Sequence, residues 1–237
     1  MQNPKIIFED DSLFVLEKPA GWISNDADTT TNQPVIQKWV RDNFEYPLKE
    51  NRELRDGIVH RLDKETSGIL LVAKTQLAFE DLQRQFKERL ISKTYIALVH
   101  GHVKGSGEIN AEVGRLPWRR DRFGVLPGGR KAVTRYKVIG YRVNSNNEKY
   151  TLLEIKPETG RTHQIRIHLK HIGFPIVADE FYAGRKTARN DRKWCSRLFL
   201  HAGGISFNHP KTQKKINFEI DLPQDLRETL AKLSKLT

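Results

Sequence analysis

The sequence predicts an α+β fold. Short β-rich runs bounded by turn residues recur along the chain, and helical periodicity is confined to a few segments between them, without regular βαβ alternation. The chain has 237 residues, 38% of them hydrophobic, enough for a core. No internal repeat or linker composition interrupts it, so a single domain over 1–237 is expected.

The elements follow in order. Lys5 to Phe8 and Leu13 to Glu17 read as a strand pair turned by Asp10-Asp11-Ser12, and Lys18-Pro19-Ala20-Gly21 ends the second strand. Asn25 to Gln33 is polar and aperiodic, a loop, and Val35 to Phe44 a short helix. Gly57 to His60 and Ile69 to Ala73 are expected as strands on either side of a polar segment. Thr75 is read as the N-cap of an amphipathic helix whose apolar stripe is Phe79, Leu82, Phe86 and Leu90. Tyr95 to Val99 reads as a buried strand; Val133 to Tyr141 and Tyr150 to Ile155 are strands joined by a hairpin loop at Asn144 to Asn147. Thr162 is the expected cap of a helix with Ile165, Leu169 and Ile172 on its apolar face, ended by Gly173 and Pro175. Strands at Ile205 to Phe207 and Ile216 to Ile220 precede a closing helix opened by Pro223 and running through Leu233.

Charge narrows the function. Lys and Arg number 41 against 29 acids, a formal net charge of +12, which points to a polyanionic partner such as nucleic acid. The basic residues cluster. Arg115, Arg119, Arg120, Arg122, Arg130 and Lys131 fall in one loop-like stretch with Trp118 and Phe123. Arg185, Lys186, Arg189, Arg192, Lys193 and Arg197 fall in a second, near Tyr182 and Trp194. Basic residues interleaved with aromatics suit phosphate contact and base stacking. No apolar run is long enough to span a bilayer, so no membrane association is expected. The first residues lack a signal-peptide pattern and Glu9-Asp10-Asp11 is acidic, so a cytoplasmic protein is expected. The single cysteine, Cys195, excludes an internal disulfide and any multi-cysteine zinc site, and fits a reducing compartment.

Candidate chemistry centres on Gly57 to Ala73, GIVHRLDKETSGILLVA. Asp63 lies in a polar segment pinned between two apolar runs, beside Arg61, Lys64 and the Thr66-Ser67-Gly68 turn. An Asp in a turn is ordinarily a turn former, yet a partly buried carboxylate is costly unless paired. Several familiar motifs are absent. His60-Arg61 with Asp63 lacks the other parts of a kinase catalytic loop, and there is no P-loop or dinucleotide fingerprint. His163, His168 and His171 share a helix at spacings that do not match a zinc protease, and are read as structural or RNA-facing rather than as metal ligands.

Four separated stretches make the chain recognisable. They are Lys18-Pro19-Ala20-Gly21, HRLDKETSG (His60 to Gly68), Lys93-Thr94-Tyr95-Ile96-Ala97, and GRTHQIRIHL (Gly160 to Leu169) followed by Gly173-Phe174-Pro175-Ile176 and Asp179; Leu200-His201-Ala202 completes the pattern. Over nearly its whole length the chain resembles the RluA-type pseudouridine synthases, and His60 before Arg61 favours this type over the related RsuA type. The resemblance implies the pseudouridine synthase fold: a central mixed, mostly antiparallel sheet flanked by helices and loops, with the active site in a cleft. It implies isomerisation of uridine to pseudouridine in ribosomal or transfer RNA, without metal or cofactor. It makes Asp63 the nucleophile, Tyr95 the residue packing on the target base and a candidate proton acceptor, and Arg166 the partner of Asp63. Arg61 would help evert the base and fill the vacated stack. Arg115, Arg119, Arg120, Arg122, Arg161, Arg185, Lys186, Arg189 and Arg192 are the expected RNA contacts.

The residue types suit that chemistry. A carboxylate can trap or stabilise an electron-poor sugar, as in glycosidases, and a guanidinium fork can hold the carboxylate ionised. Eversion costs a few kcal/mol, which phosphate contacts and Arg61 can offset. Many relatives carry a small RNA-binding domain ahead of the catalytic one; here the Lys-Pro-x-Gly element begins at residue 18, so a stand-alone catalytic domain, working as a monomer, is expected. The competing readings are a catalytically inactive RNA-binding or ribosome-assembly factor on the same fold, and a base-excising glycosidase on a similar scaffold.

Overall fold

A computed structural model describes residues 2–27, 30–117 and 119–236, without the side chains of Arg120 and Asp121. In chain order the elements are β1 (Lys5–Glu9), β2 (Leu13–Lys18), α1 (Ile36–Asn43), β3 (Ser67–Ala73), α2 (Gln76–Lys87), β4 (Ser92–His100), β5 (Gly107–Asn110), β6 (Val113–Leu116), β7 (Arg119–Val125), β8 (Val133–Val143), β9 (Lys149–Pro157), α3 (Gln164–His171), α4 (Arg185–Asp191), β10 (Leu200–Asn208), β11 (Lys215–Glu219), α5 (Gln224–Ala231) and β12 (Ser234–Leu236). The α+β class is borne out. The chain splits into two compact units, Met1–Ser92 with Ala202–Ile220, and Lys93–His201 with Asp221–Thr237.

In the first unit the strand order is β1-β2-β3-β10, with β11 on β10. Pairings β1–β2, β2–β3 and β10–β11 are antiparallel. Every residue of β3 is buried, as expected of an apolar run covered on both faces. The Asp10 carboxylate accepts from Ser12 N at 2.8 Å and Leu13 N at 3.0 Å, which makes the β1–β2 turn. Thr75 Oγ1 accepts from Ala78 N at 3.2 Å, the expected cap of α2. The helix buries Ala78, Phe79, Leu82 and Gln85. It stops at Lys87, so Leu90, placed on its stripe by periodicity, is instead 50% exposed. Gly57 to His60 is not a strand. A single 3₁₀ turn covers Arg55–Gly57, and Ile58 makes only an isolated bridge to Val72. Gly57 has φ +84° and a Cβ there would lie 1.9 Å from Ala73 O, so the chain turns where a strand was expected.

In the second unit β4 pairs with β9, β9 with β8, and β8 with both β5 and β12, all antiparallel. The Asn144 turn forms as expected, its Oδ1 accepting from Asn146 N and Glu148 N. The stretch read as a basic loop is the β6–β7 hairpin. Val113, Ala132, Ile167 of α3 and Tyr182 form a small core beneath it, with Phe123 and Val125 against them. Thr162 does not cap α3. The residue before the helix is His163, in the left-handed region at φ 56° and without a side-chain cap bond. The closing helix α5 ends at Ala231, and the last residues form the short strand β12 instead.

Candidate active-site and RNA-contact residues

Asp63 sits in the segment entering β3. It is half-buried, and its carbonyl accepts from Thr66 N at 3.1 Å. The peptides on either side of it are anchored from the Lys18–Ser24 segment. Ser24 Oγ donates to Leu62 O at 2.9 Å and accepts from Leu62 N at 3.0 Å. Gly21 N donates to Lys64 O at 2.8 Å. Lys18 has no exposed surface, and its ammonium donates to the carbonyls of Pro19 (3.0 Å), Trp22 (2.8 Å) and Lys64 (3.3 Å). A buried ammonium is tolerated when its N–H groups find acceptors such as these carbonyls. The Lys-Pro-x-Gly element therefore positions the backbone around Asp63. The β2–β3 register puts Lys18 opposite Gly68. At Gly68 φ is +132°, and a Cβ would lie 2.3 Å from Ala202 O, so only glycine fits where the segment meets β10.

His60 is a second anchor. Its Nε2 accepts from Leu71 N at 2.9 Å, and its ring lies 4.8 Å from that of Phe86. Gln83 Nε2 donates to Val59 O. Arg61 is exposed.

In the second unit Tyr95 is 8% exposed on β4, opposite Ile155 of β9. Lys93 shares its face of the strand by alternation. A Cβ on Gly160 would lie 3.6 Å from Lys93 Nζ, so this amine lies over the start of the GRTHQIRIHL segment. Lys93 keeps some exposed surface, but desolvation of its ammonium lowers its pKa to about 8.

That segment is built on a saturated amide. Gln164 Oε1 accepts from Thr159 Oγ1 at 2.7 Å and Arg161 N at 3.0 Å, while Nε2 donates to Val133 O and Thr134 Oγ1, both at 3.0 Å. His168 is buried between Thr134 Oγ1 (2.9 Å from Nδ1) and Ala111 O (3.0 Å from Nε2), and burial lowers its pKa. It is a structural histidine, as expected. These contacts fix α3 and with it Arg166, which is 3% exposed. Arg166 donates from Nε to Asp179 Oδ2 and from Nη2 to Asp179 Oδ1, each at 2.8 Å. Asp179 is fully buried, and its Oδ1 also accepts from Phe181 N (2.9 Å) and Tyr182 N (3.1 Å). Asp179 stood in the motif, but its role in holding Arg166 was missed. Beyond the motif, the sequence signal for it was an acid directly after an apolar run, Ile176 to Ala178.

The expected RNA contacts are distributed as follows. Arg115 lies over the Phe123 ring, 5.0 Å from its centroid, and Arg119 is exposed on β7. The Arg120 side chain and Trp118 lie outside the described residues. Arg122 Nη1 donates to Phe181 O at 2.8 Å, and its guanidinium covers the Phe181 ring at 4.7 Å. Arg161 Nε donates to Lys131 O at 3.3 Å. Arg185, Lys186 and Arg189 are exposed on α4, and Arg192 follows it, 3.3 Å from Glu180. Arg197 departs from its expected place in the basic cluster: it is buried and pairs with Asp225 at 2.5 and 3.1 Å. Among the described residues no group of three or more His, Cys, Asp or Glu side chains is arranged to hold a metal, and no helix is long and apolar enough to cross a membrane.

The chain is similar to known proteins over most of its length. The RNA pseudouridylate synthase family model matches residues 12–171. An uncharacterised RNA pseudouridine synthase of Bacillus subtilis (strain 168) is 36% identical over 97% of this chain and 73% of its own length. An uncharacterised RNA pseudouridine synthase of Chloroflexus aurantiacus is 40% identical over 91% of this chain and 65% of its own length. The ribosomal large subunit pseudouridine synthase D of Buchnera aphidicola is 35% identical over 96% of this chain and 73% of its own length. Among solved structures, human RNA pseudouridylate synthase domain containing 1 superposes with a TM-score of 0.77 at 25% identity, covering 99% of this chain and 89% of that one.

Proposed function

The chain belongs to the RNA pseudouridylate synthase family, isomerases that act on RNA, and we propose that its substrate is a uridine of ribosomal RNA isomerised with Asp63 as the nucleophile. The bond from ribose C1′ to uracil N1 breaks, the base turns, and C1′ joins C5. N1 gains a proton and C5 loses one, so atoms and electrons balance without a redox partner. Asp63 adds to the everted nucleotide and leaves again. Tyr95 packs on the base and accepts the C5 proton. Arg166, held at Nε and Nη2 by Asp179, is the guanidinium assigned to act with Asp63 on the nucleotide. Arg61 fills the space left in the RNA stack. Arg115, Arg119, Arg120, Arg122, Arg161, Arg185, Lys186, Arg189 and Arg192 contact the RNA backbone. In the same reading residues 1–237 act as a single catalytic domain, as a monomer, in the cytoplasm and without a cofactor.

The observation that carries this is the anchoring around Asp63. Buried Lys18, Gly21 and Ser24 fix the peptides on both sides of one half-buried carboxylate, which is how a nucleophile is held in register with its target. The relatives named as ribosomal large subunit enzymes support the choice of RNA.

The test is tritium release from ribosomal RNA carrying [5-³H]uridine, transcribed without modification, with transfer RNA run in parallel. Release from ribosomal RNA is expected, slower by about 10⁴-fold or more in Asp63→Asn. Equal rates in the two proteins would remove Asp63 from the mechanism. Release from transfer RNA alone would overturn the substrate. Tight RNA binding with no release from either would favour the inactive assembly-factor reading.

A further inference from the structure

The two basic stretches, far apart in sequence, meet at one cavity of the second unit. It measures about 450 Å³ and is lined by Arg122, Glu180, Phe181, Arg185, Arg189 and Arg192. That volume is in the range of small-ligand pockets. Four guanidiniums face one carboxylate. Glu180 is 3.3 Å from Arg192, while among the described residues Arg185 and Arg189 make no side-chain ion pair or hydrogen bond. The like charges of Arg185 and Arg189 repel one another, and an anion placed between them offsets that cost.

The remaining lining residue is aromatic and outward-facing. Phe181 is 44% exposed, yet its backbone is held at both ends, N to Asp179 and O to Arg122. The Arg122 guanidinium stacks on its ring at 4.7 Å, which gives a flat, positively charged platform at the cavity wall. The same ring lies 5.4 Å from the Arg166 guanidinium. An anion receptor beside a stacking surface matches a nucleotide, since Arg planes and aromatic rings both stack bases.

We propose that this cavity is a subsite for one RNA nucleotide other than the isomerised uridine, its phosphate received by Arg185, Arg189 and Arg192 and its base stacked on the Arg122–Phe181 platform. It rests on the reading of the chain as an RNA isomerase and sharpens it, because the platform touches Arg166. The two basic stretches then act as one binding element rather than as two separate charged surfaces.

The experiment measures binding of a fluorescein-labelled RNA stem-loop by anisotropy over a salt series. The protein is Asp63→Asn, so turnover does not enter, compared with the same protein carrying R185A and R189A or carrying F181L. Arg185 and Arg189 are exposed, so the paired variant keeps its fold, checked by thermal melting. A single phosphate in the cavity predicts affinity about tenfold weaker in the arginine variant. The slope of log affinity against log salt should fall by about 0.7. F181L, which keeps bulk but loses the flat ring, should bind at least about fivefold more weakly with an unchanged slope. A slope change of about 1.4 or more would mean separate phosphates on a diffuse surface and would overturn the single-nucleotide subsite, as would unchanged affinity in F181L or in the arginine variant. Uridine monophosphate titrated into the cavity without displacing the RNA would also overturn it, in favour of a free-nucleotide site. The isomerase reading is judged separately by tritium release from the protein with Asp63 intact, so one reading can fail while the other stands.

Discussion

Asp63 and Arg166 are held by opposite means. Around Asp63 the protein grips the backbone: a fully buried ammonium, a glycine N–H and a serine hydroxyl fix the flanking peptides. At Arg166 it grips the side chain itself, through a bidentate ion pair to the fully buried Asp179. A short side chain such as Asp is aimed well by its backbone, because few torsions separate the two. A long Arg side chain is aimed only if its head is tied, since each of its torsions otherwise adds rotamer freedom. The difference teaches where each site is vulnerable: at neutral main-chain anchors in one region, at a single carboxylate in the other.

The largest break in this comparison is Asp179→Ala. Removing one partner strands a buried guanidinium and releases the N–H groups of Phe181 and Tyr182. A loss of about 3–5 kcal/mol of stability is expected in chemical denaturation, with isomerisation falling alongside. Lys18→Met is expected to cost about 2 kcal/mol, less because the charge that needed solvation leaves with its bonds. Its signature is kinetic. The single-turnover rate drops by about 10²-fold while RNA affinity holds, as expected when the proposed nucleophile is displaced rather than binding lost. Equal losses of rate and affinity would place Lys18 in RNA contact instead of in positioning.

Acidity sharpens the comparison further. Desolvation lowers Lys93 to about 8 from its ordinary 10.5. Between those values the unfolded chain holds the proton that the folded chain has released, so stability rises with pH from about 8 to about 10.5. Denaturation midpoints measured across that window should show this rise, and Lys93→Met should flatten it. The smallest expected effect is Thr75→Ala, which removes the cap of α2. It should lose about 1 kcal/mol with isomerisation unchanged.

The Asp63 region was more legible in sequence than the Arg166 region. The β1–β2 turn, the buried β3 run and the Thr75 cap are written in consecutive residues, and so is the string around Asp63. The errors fall where local pattern misleads. Gly57 to His60 looked like a strand, but Gly57 requires a positive φ and the backbone bends there. Arg115 to Lys131 looked like a loop because its arginines mask the alternation of a hairpin. α4 carries no apolar stripe for periodicity to find. Arg166 was singled out by its motif, but Asp179 was not seen to hold it, because that pairing depends on how the chain after α3 folds back.

By itself the sequence determined the α+β class, the motif order and the carboxylate at residue 63, because strand alternation, turn chemistry and motif spacing are local properties of residue order. Tertiary structure alone decided which carboxylate holds Arg166, what the buried Lys18 ammonium is for, and that arginines of two distant stretches share one cavity with Phe181. Those depend on distances closed by folding, and Coulomb and hydrogen-bond energies fall off too steeply with distance for separation along the chain to foretell them.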